Sequence, residues 1–136
     1  MSERRFQHVI TPLVVIRIKE AQVMGDTLAE ALRDEFLMVY LPSGATSVVV
    51  DFQAVNYLSS AGFRPLLSLN RQVRERGGRL VLCNLSKEVE EIFAVTRLIS
   101  SSRSHPATFE VQKDVPAAVA SLCSGHPPSA TEETKH

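Results

Sequence analysis

The sequence predicts an α/β fold in one domain, with about four helices packed on a mixed, mostly parallel sheet of about five strands. Three observations carry this. Strand-like and helix-like segments alternate along most of the chain, the pattern of helices laid on a largely parallel sheet. The run Val48-Val49-Val50-Asp51-Phe52 is apolar without alternation, as suits a strand covered on both faces. The 136 residues are about one domain in length and can bury an ordinary core.

Taken in order, Phe6 to Ile10 and Leu13 to Lys19 are two β-like runs separated by Thr11-Pro12, which predicts an opening hairpin. Thr27 followed by Glu30 has capping-box spacing, and Leu28, Leu32, Phe36, Val39 and Tyr40 then recur at helical spacing. A helix from about Leu28 to Tyr40 is expected, ended by Pro42 and Gly44. After the central strand a second helix carries Phe63, Leu66, Leu67, Asn70 and Val73 on one side and Arg64, Ser68, Arg71 and Glu75 on the other. Gly77-Gly78 stops it. Arg79 to Asn84 is a short buried strand, and Ser86 caps a helix with Glu88, Glu90 and Glu91 in its first turns, where the helix dipole favours them. Its buried stripe is Val89, Ile92, Phe93 and Thr96. Ser100 to Pro106 reads as a loop, Ala107 to Gln112 as a weak strand, and Asp114 as the cap of a last helix through Leu122 with Pro116 in its first turn. The domain is therefore residues 1–123. Residues 124–136, small, polar and proline-containing, are expected to be a disordered tail.

Fifteen Lys and Arg balance fifteen Asp and Glu, so no overall field recruits nucleic acid or anionic lipid. The longest unbroken apolar run, Phe36 to Leu41, is far short of the roughly 20 residues that cross a bilayer. It belongs either to the core or to a contact with a partner or a second copy. Met1-Ser2-Glu3-Arg4-Arg5 leads into no signal-peptide core, and the expected location is the cytoplasm. Cys83 and Cys123 lack zinc or CxxC spacing and read as buried or half-buried free thiols.

The chemistry converges on Ser59-Ser60-Ala61-Gly62, at a strand-to-helix junction. Only Gly62 matches the G-x-S-x-G hydrolase elbow, and His8, His105, His126 and His136 lie near a terminus, in a loop or in the tail. No G-x-G-x-x-G or Walker lysine is present, and Gly77-Gly78 end a helix instead of opening one. No cofactor or metal is implied. Arg64, Arg71, Arg74, Arg76 and Arg79 read as a solvated face, and Asp51 as a capping or loop-ordering carboxylate. The serine pair keeps two readings: a plain N-cap, or a hydroxyl placed where a helix start favours a phosphate.

The run Val48 to Phe52, Tyr57-Leu58-Ser59-Ser60-Ala61-Gly62-Phe63-Arg64, Leu66-Leu67, Arg76-Gly77-Gly78-Arg79-Leu80-Val81-Leu82 and Val89 to Leu98 resembles the STAS domain, in particular the bacterial anti-sigma factor antagonists. The resemblance spans roughly Leu13 to Leu122. It implies a single STAS-like domain that is no enzyme, binding an anti-sigma factor that is itself a serine kinase, with a serine phosphatase as the reversing partner. In that family the loop commonly reads Asp-Ser-Ser-Gly or Asp-Ser-Thr-Gly, with the modified hydroxyl just before the glycine. Here Ser59 stands at the aspartate, Ser60 at the first hydroxyl and Ala61 at the usual acceptor. A Ser-Ser-Ala-Gly variant also occurs, so the acceptor role passes to Ser60 first and Ser59 second. Asp51, Asn56, Leu58, Ala61, Gly62, Phe63 and Arg64 are then the implied partner-binding residues. The alternative is a STAS module that is never phosphorylated, packed in a transport ATPase or a larger signalling assembly.

Overall fold

The computed structural model describes residues 12–96 and 109–124, the side chains of Thr96 and Ser124 excepted. Strands β1 (Leu13–Arg17), β3 (Ser47–Asp51), β5 (Leu80–Cys83) and β6 (Glu110–Gln112) form one sheet in that order, and every neighbouring pair is parallel. Two-residue strands β2 (Gln22–Val23) and β4 (Tyr57–Leu58) pair with each other, also in parallel, as a separate ribbon. Among the described residues four α-helices connect or follow the strands: α1 (Asp26–Ser43), α2 (Phe63–Glu75), α3 (Lys87–Thr96) and α4 (Val115–Ser124). The expected strand and hairpin at Phe6 to Ile10, the loop Ser100 to Pro106, the start of the strand from Ala107 and the tail beyond Ser124 lie outside the described residues.

All five residues of β3 are buried because each face of the sheet is covered. Val48 and Val50 join Ile16, Ile18, Leu80 and Leu82 under Leu32, Phe36 and Tyr40 of α1, Leu66, Leu69 and Val73 of α2, and Val89 and Phe93 of α3. Val49, Val81 and Cys83 face Ala118 and Leu122 of α4 on the other side. Phe93 is the hub of the larger core, meeting Phe52, Phe63 and Phe109 edge-on at ring-centroid distances of 5.9, 5.1 and 6.0 Å, the geometry aromatic quadrupoles favour.

Helix α1 starts earlier than its apolar spacing suggests. Gly25, at φ 88°, is its N-cap without a side-chain cap bond, and Thr27 already lies in the first turn, so the expected Thr27–Glu30 capping box does not form. At the other end Pro42 sits inside the last turn and Gly44, at φ 78°, ends the helix. Arg76 closes this end by donating to the carbonyls of Leu41 (3.0 Å) and Ala45 (3.1 Å) while lying over the Tyr40 ring.

In α2 the buried stripe runs through Leu66, Leu69, Asn70 and Val73, while Leu67, expected inside, is 41% exposed. The helix stops as its glycines require. Gly77, at φ 80°, donates to the Arg74 carbonyl and Gly78 to that of Val73, the paired bonds of a Schellman motif. The caps expected for α3 and α4 are present: Ser86 Oγ accepts from the Val89 N–H at 3.1 Å and Asp114 Oδ1 from the Ala117 N–H at 2.9 Å. Cys83 is buried, but Cys123 is exposed, contrary to the expectation for both thiols. The Phe36 to Leu41 run divides, with Phe36 and Tyr40 in the core and Met38, Val39 and Leu41 exposed.

Candidate functional site

The site is built where β3 ends and the chain climbs toward α2. Asp51, 1% exposed, closes β3. Its Oδ1 accepts from the Gln53 N–H and Asn84 Nδ2, each at 2.9 Å, and its Oδ2 from Arg17 Nε at 3.1 Å. Burial by itself would raise the carboxyl pKa, but the bonds from Asn84, Gln53 and Arg17 outweigh it and hold the group below its ordinary value. Asp51 thus fastens the ends of β1, β3 and β5 and orders the following turn, as the loop-ordering reading expects. Asn84 takes a left-handed backbone (φ 59°) to reach it, a conformation asparagine tolerates better than most residues.

Beyond Phe52 the loop is stitched to the segment before α1. The Ala21 carbonyl accepts from the Asn56 and Tyr57 N–H groups, Tyr57 and Leu58 pair with Gln22 and Val23, and the Ser59 N–H donates to the Val23 carbonyl at 2.9 Å. Ser60–Gly62 then form one 3₁₀ turn that runs directly into α2. The Gly62 N–H donates to the Ser59 carbonyl at 2.9 Å. Gly62 has to be small: an added Cβ would stand 2.5 Å from Leu58 Cδ1 and 3.0 Å from Val23 Cγ1. Pro65 is the third residue of α2, within its first turn, where proline is tolerated far better than in a helix interior.

The two serines differ sharply. Ser60 is exposed, whereas Ser59 Oγ is buried and has no hydrogen-bond partner among the described residues. Ser59 is the N-cap of the 3₁₀ turn, yet neither it nor Gly62, the N-cap of α2, makes a side-chain cap bond. The plain capping reading therefore describes neither hydroxyl. Of the residues implied at a partner contact, Asn56 and Arg64 are exposed and Ala61 is half-buried. Asp51, Leu58, Gly62 and Phe63 are buried, so they shape the loop from beneath instead of presenting a surface. Arg64 pairs with Asp26 at the start of α1 at 2.9 Å, both side chains being exposed.

Among the described residues no group of three His, Cys, Asp or Glu side chains could hold a metal ion, and no helix is long and apolar enough to cross a membrane. All four histidines lie outside the described residues.

The STAS domain family model matches residues 8–114. This chain belongs to the STAS domain family. A Bordetella bronchiseptica protein named provisionally as the anti-sigma factor antagonist BtrV is 37% identical over 78 residues, which is 57% of this chain and 66% of that relative's length. The structure of the anti-sigma factor antagonist SpoIIAA in its unphosphorylated form superposes with a TM-score of 0.56 at 17% identity, covering 86% of this STAS domain chain and 94% of the other. The murine anion transporter Slc26a9 superposes with a TM-score of 0.65 at 12% identity, covering 86% of this chain but 18% of the transporter. At these identities both structural likenesses concern the fold, which is that of the anti-sigma factor antagonists and recurs inside the transporter.

Proposed function

We propose that this STAS domain is an anti-sigma factor antagonist that docks on an anti-sigma serine kinase and is released when the kinase phosphorylates Ser60. A serine phosphatase resets it. The reading rests on one observation above the others: Ser60 is exposed on the 3₁₀ turn, while the neighbouring Ser59 Oγ is buried.

Phosphorylation adds about 1.5 to 2 negative charges and three acceptor oxygens. The first turn of α2 favours negative charge by about 0.3–1 kcal/mol, so the domain itself tolerates the group. A partner pressed on the same turn must desolvate it, at an effective cost of several kcal/mol unless matching cations are supplied. Every ~1.4 kcal/mol lost weakens binding tenfold. The second effect is the larger, and modification releases the partner without unfolding the domain. The protein acts as substrate and competitor, not as catalyst.

The test is to incubate the chain with its cognate kinase and ATP and to map the phosphate by mass spectrometry. Phosphate on Ser60, lost in Ser60→Ala, together with weakened kinase binding by Ser60→Asp, supports the reading. No phosphate on either serine and unchanged binding of Ser60→Asp defeats it. A second reading, a never-phosphorylated module in a larger assembly, is favoured by Ala61 at the position usually modified and by the transporter likeness. Co-purification with subunits of a transport or signalling complex, and not with a kinase, would select it.

A further inference from the structure

We propose that the Asp26–Arg64 ion pair is the element that senses the phosphate. On modification of Ser60, Arg64 leaves Asp26 and pairs with the phosphoryl oxygens, freeing the start of α1. This inference rests on the reading of Ser60 as the acceptor.

Four features of the loop carry it. Arg64 follows Ser60 by four residues through continuous helical backbone, 3₁₀ and then α, and side chains at that spacing are neighbours on a helix surface. The guanidinium is already committed to an anion, with Nη2 2.9 Å from Asp26 Oδ1, and at 62% and 72% exposure the two side chains can exchange partners without disturbing the core. Asp26 is held close to the loop by the backbone itself: the Val23 carbonyl, three residues earlier, accepts from the Ser59 N–H. Finally, α1 begins on Gly25 with no side-chain cap bond, so the Arg64 tie is an external fastening of a start that lacks a capping side chain.

A phosphate dianion on Ser60 changes the balance among these groups. Ser60 Oγ attacks the γ-phosphorus of ATP, the new O–P bond forms as the bond to the β-phosphate oxygen breaks, ADP departs, and the hydroxyl proton passes to the kinase or to water. The product offers Arg64 two charges and several acceptor oxygens in place of one carboxylate, and a guanidinium fork engages such a group with two parallel bonds. The same phosphate repels the Asp26 carboxylate. Both effects act in one direction. The start of α1, next to the docking turn, is then loosened only in the modified form.

The experiment uses the full chain with phosphoserine installed at residue 60 during translation, so that it does not depend on any kinase. Two quantities are read by NMR: the Arg64 Nε–Hε resonance, and hydrogen exchange of the amides in the first turns of α1. The phosphoserine chain is expected to show a shifted Arg64 Nε–Hε signal and about two- to fivefold faster exchange at the start of α1. In Arg64→Gln and in Asp26→Asn that exchange is already fast, and phosphoserine adds nothing further. Asp26→Asn keeps the Arg64 shift. An Arg64 signal unmoved by phosphoserine, or a phosphate effect on α1 of equal size in Arg64→Gln, overturns the proposal. Failure of a kinase to modify Ser60 would count against the proposed function and leave these readings intact.

Discussion

Replacing Asp51 with alanine removes the one carboxylate that joins the ends of three strands. The loss can be worked from its three bonds. Arg17 is 65% exposed and its guanidinium returns to water, so that bond counts for about 0–1 kcal/mol. The part-buried bonds from the Gln53 N–H and Asn84 Nδ2 go to an ionised acceptor, at about 1.5–3 kcal/mol each. Against them stands the cost of burying the carboxylate, which the alanine no longer bears. The expected net loss is about 2–4 kcal/mol, or about 10 °C in Tm for a domain of this size. Asp51→Asn keeps an oxygen for Gln53 and Asn84 but turns an amide N–H₂ toward Arg17, and should cost about 1–2 kcal/mol. Urea unfolding followed by circular dichroism measures both.

The dependence on pH has a definite sign. Burial pushes the Asp51 carboxyl up, and the bonds from Asn84, Gln53 and Arg17 push it further down, so the folded-state pKa lies below the unfolded one. The stabilisation is complete above the unfolded-state pKa of about 4 and fades as pH falls through the lower folded value. The gap between wild type and Asp51→Ala should be constant near neutral pH and shrink in acid. An alanine variant within about 0.5 kcal/mol of wild type at pH 7, or a gap unchanged into strong acid, would refute the reasoning.

Three further outcomes follow from particular contacts. Ser59→Ala removes a buried hydroxyl without a partner among the described residues, so it should be neutral or stabilising by up to about 1 kcal/mol in urea melts and should leave modification of Ser60 intact. Gly78→Ala would drive a methyl group into the Thr46 carbonyl, a backbone atom that cannot rotate aside; a loss of about 3 kcal/mol or more is expected by the same assay. Burial, with the Asp51 and Asp114 charges, pushes the Cys83 thiol up to about 11, whereas Cys123 is exposed. A thiol reagent at pH 8 should label Cys123 on the folded protein and Cys83 only after unfolding.

Local chemistry explains why much of this fold was legible in the sequence. Val48 to Phe52 announces a strand buried on both faces, Gly77-Gly78 a left-handed helix stop, and Ser86 and Asp114 caps that form as read. Legibility fails where a contact spans the chain or an element is too short to have a period. Gln22–Val23 and Tyr57–Leu58 have two residues each and show no alternation, yet they position the Ser60 turn. Asn84 meets Asp51 across 33 residues, and nothing around it in sequence marks it as that carboxylate's partner. Leu67 reads as a residue on the inner side of α2, but the stripe that faces the sheet runs through Leu66, Leu69, Asn70 and Val73, which leaves Leu67 exposed at its edge. At the site, the position of the serine pair was readable, but not the burial of one hydroxyl and the exposure of the other.

The β2–β4 ribbon lies off the main sheet and ties together the two stretches of chain that lead into α1 and α2. Two successive helices therefore share one anchorage at their leading ends. A stimulus at this corner can alter the face offered to a visitor while the central β-layer, fastened separately through Asp51, keeps its shape.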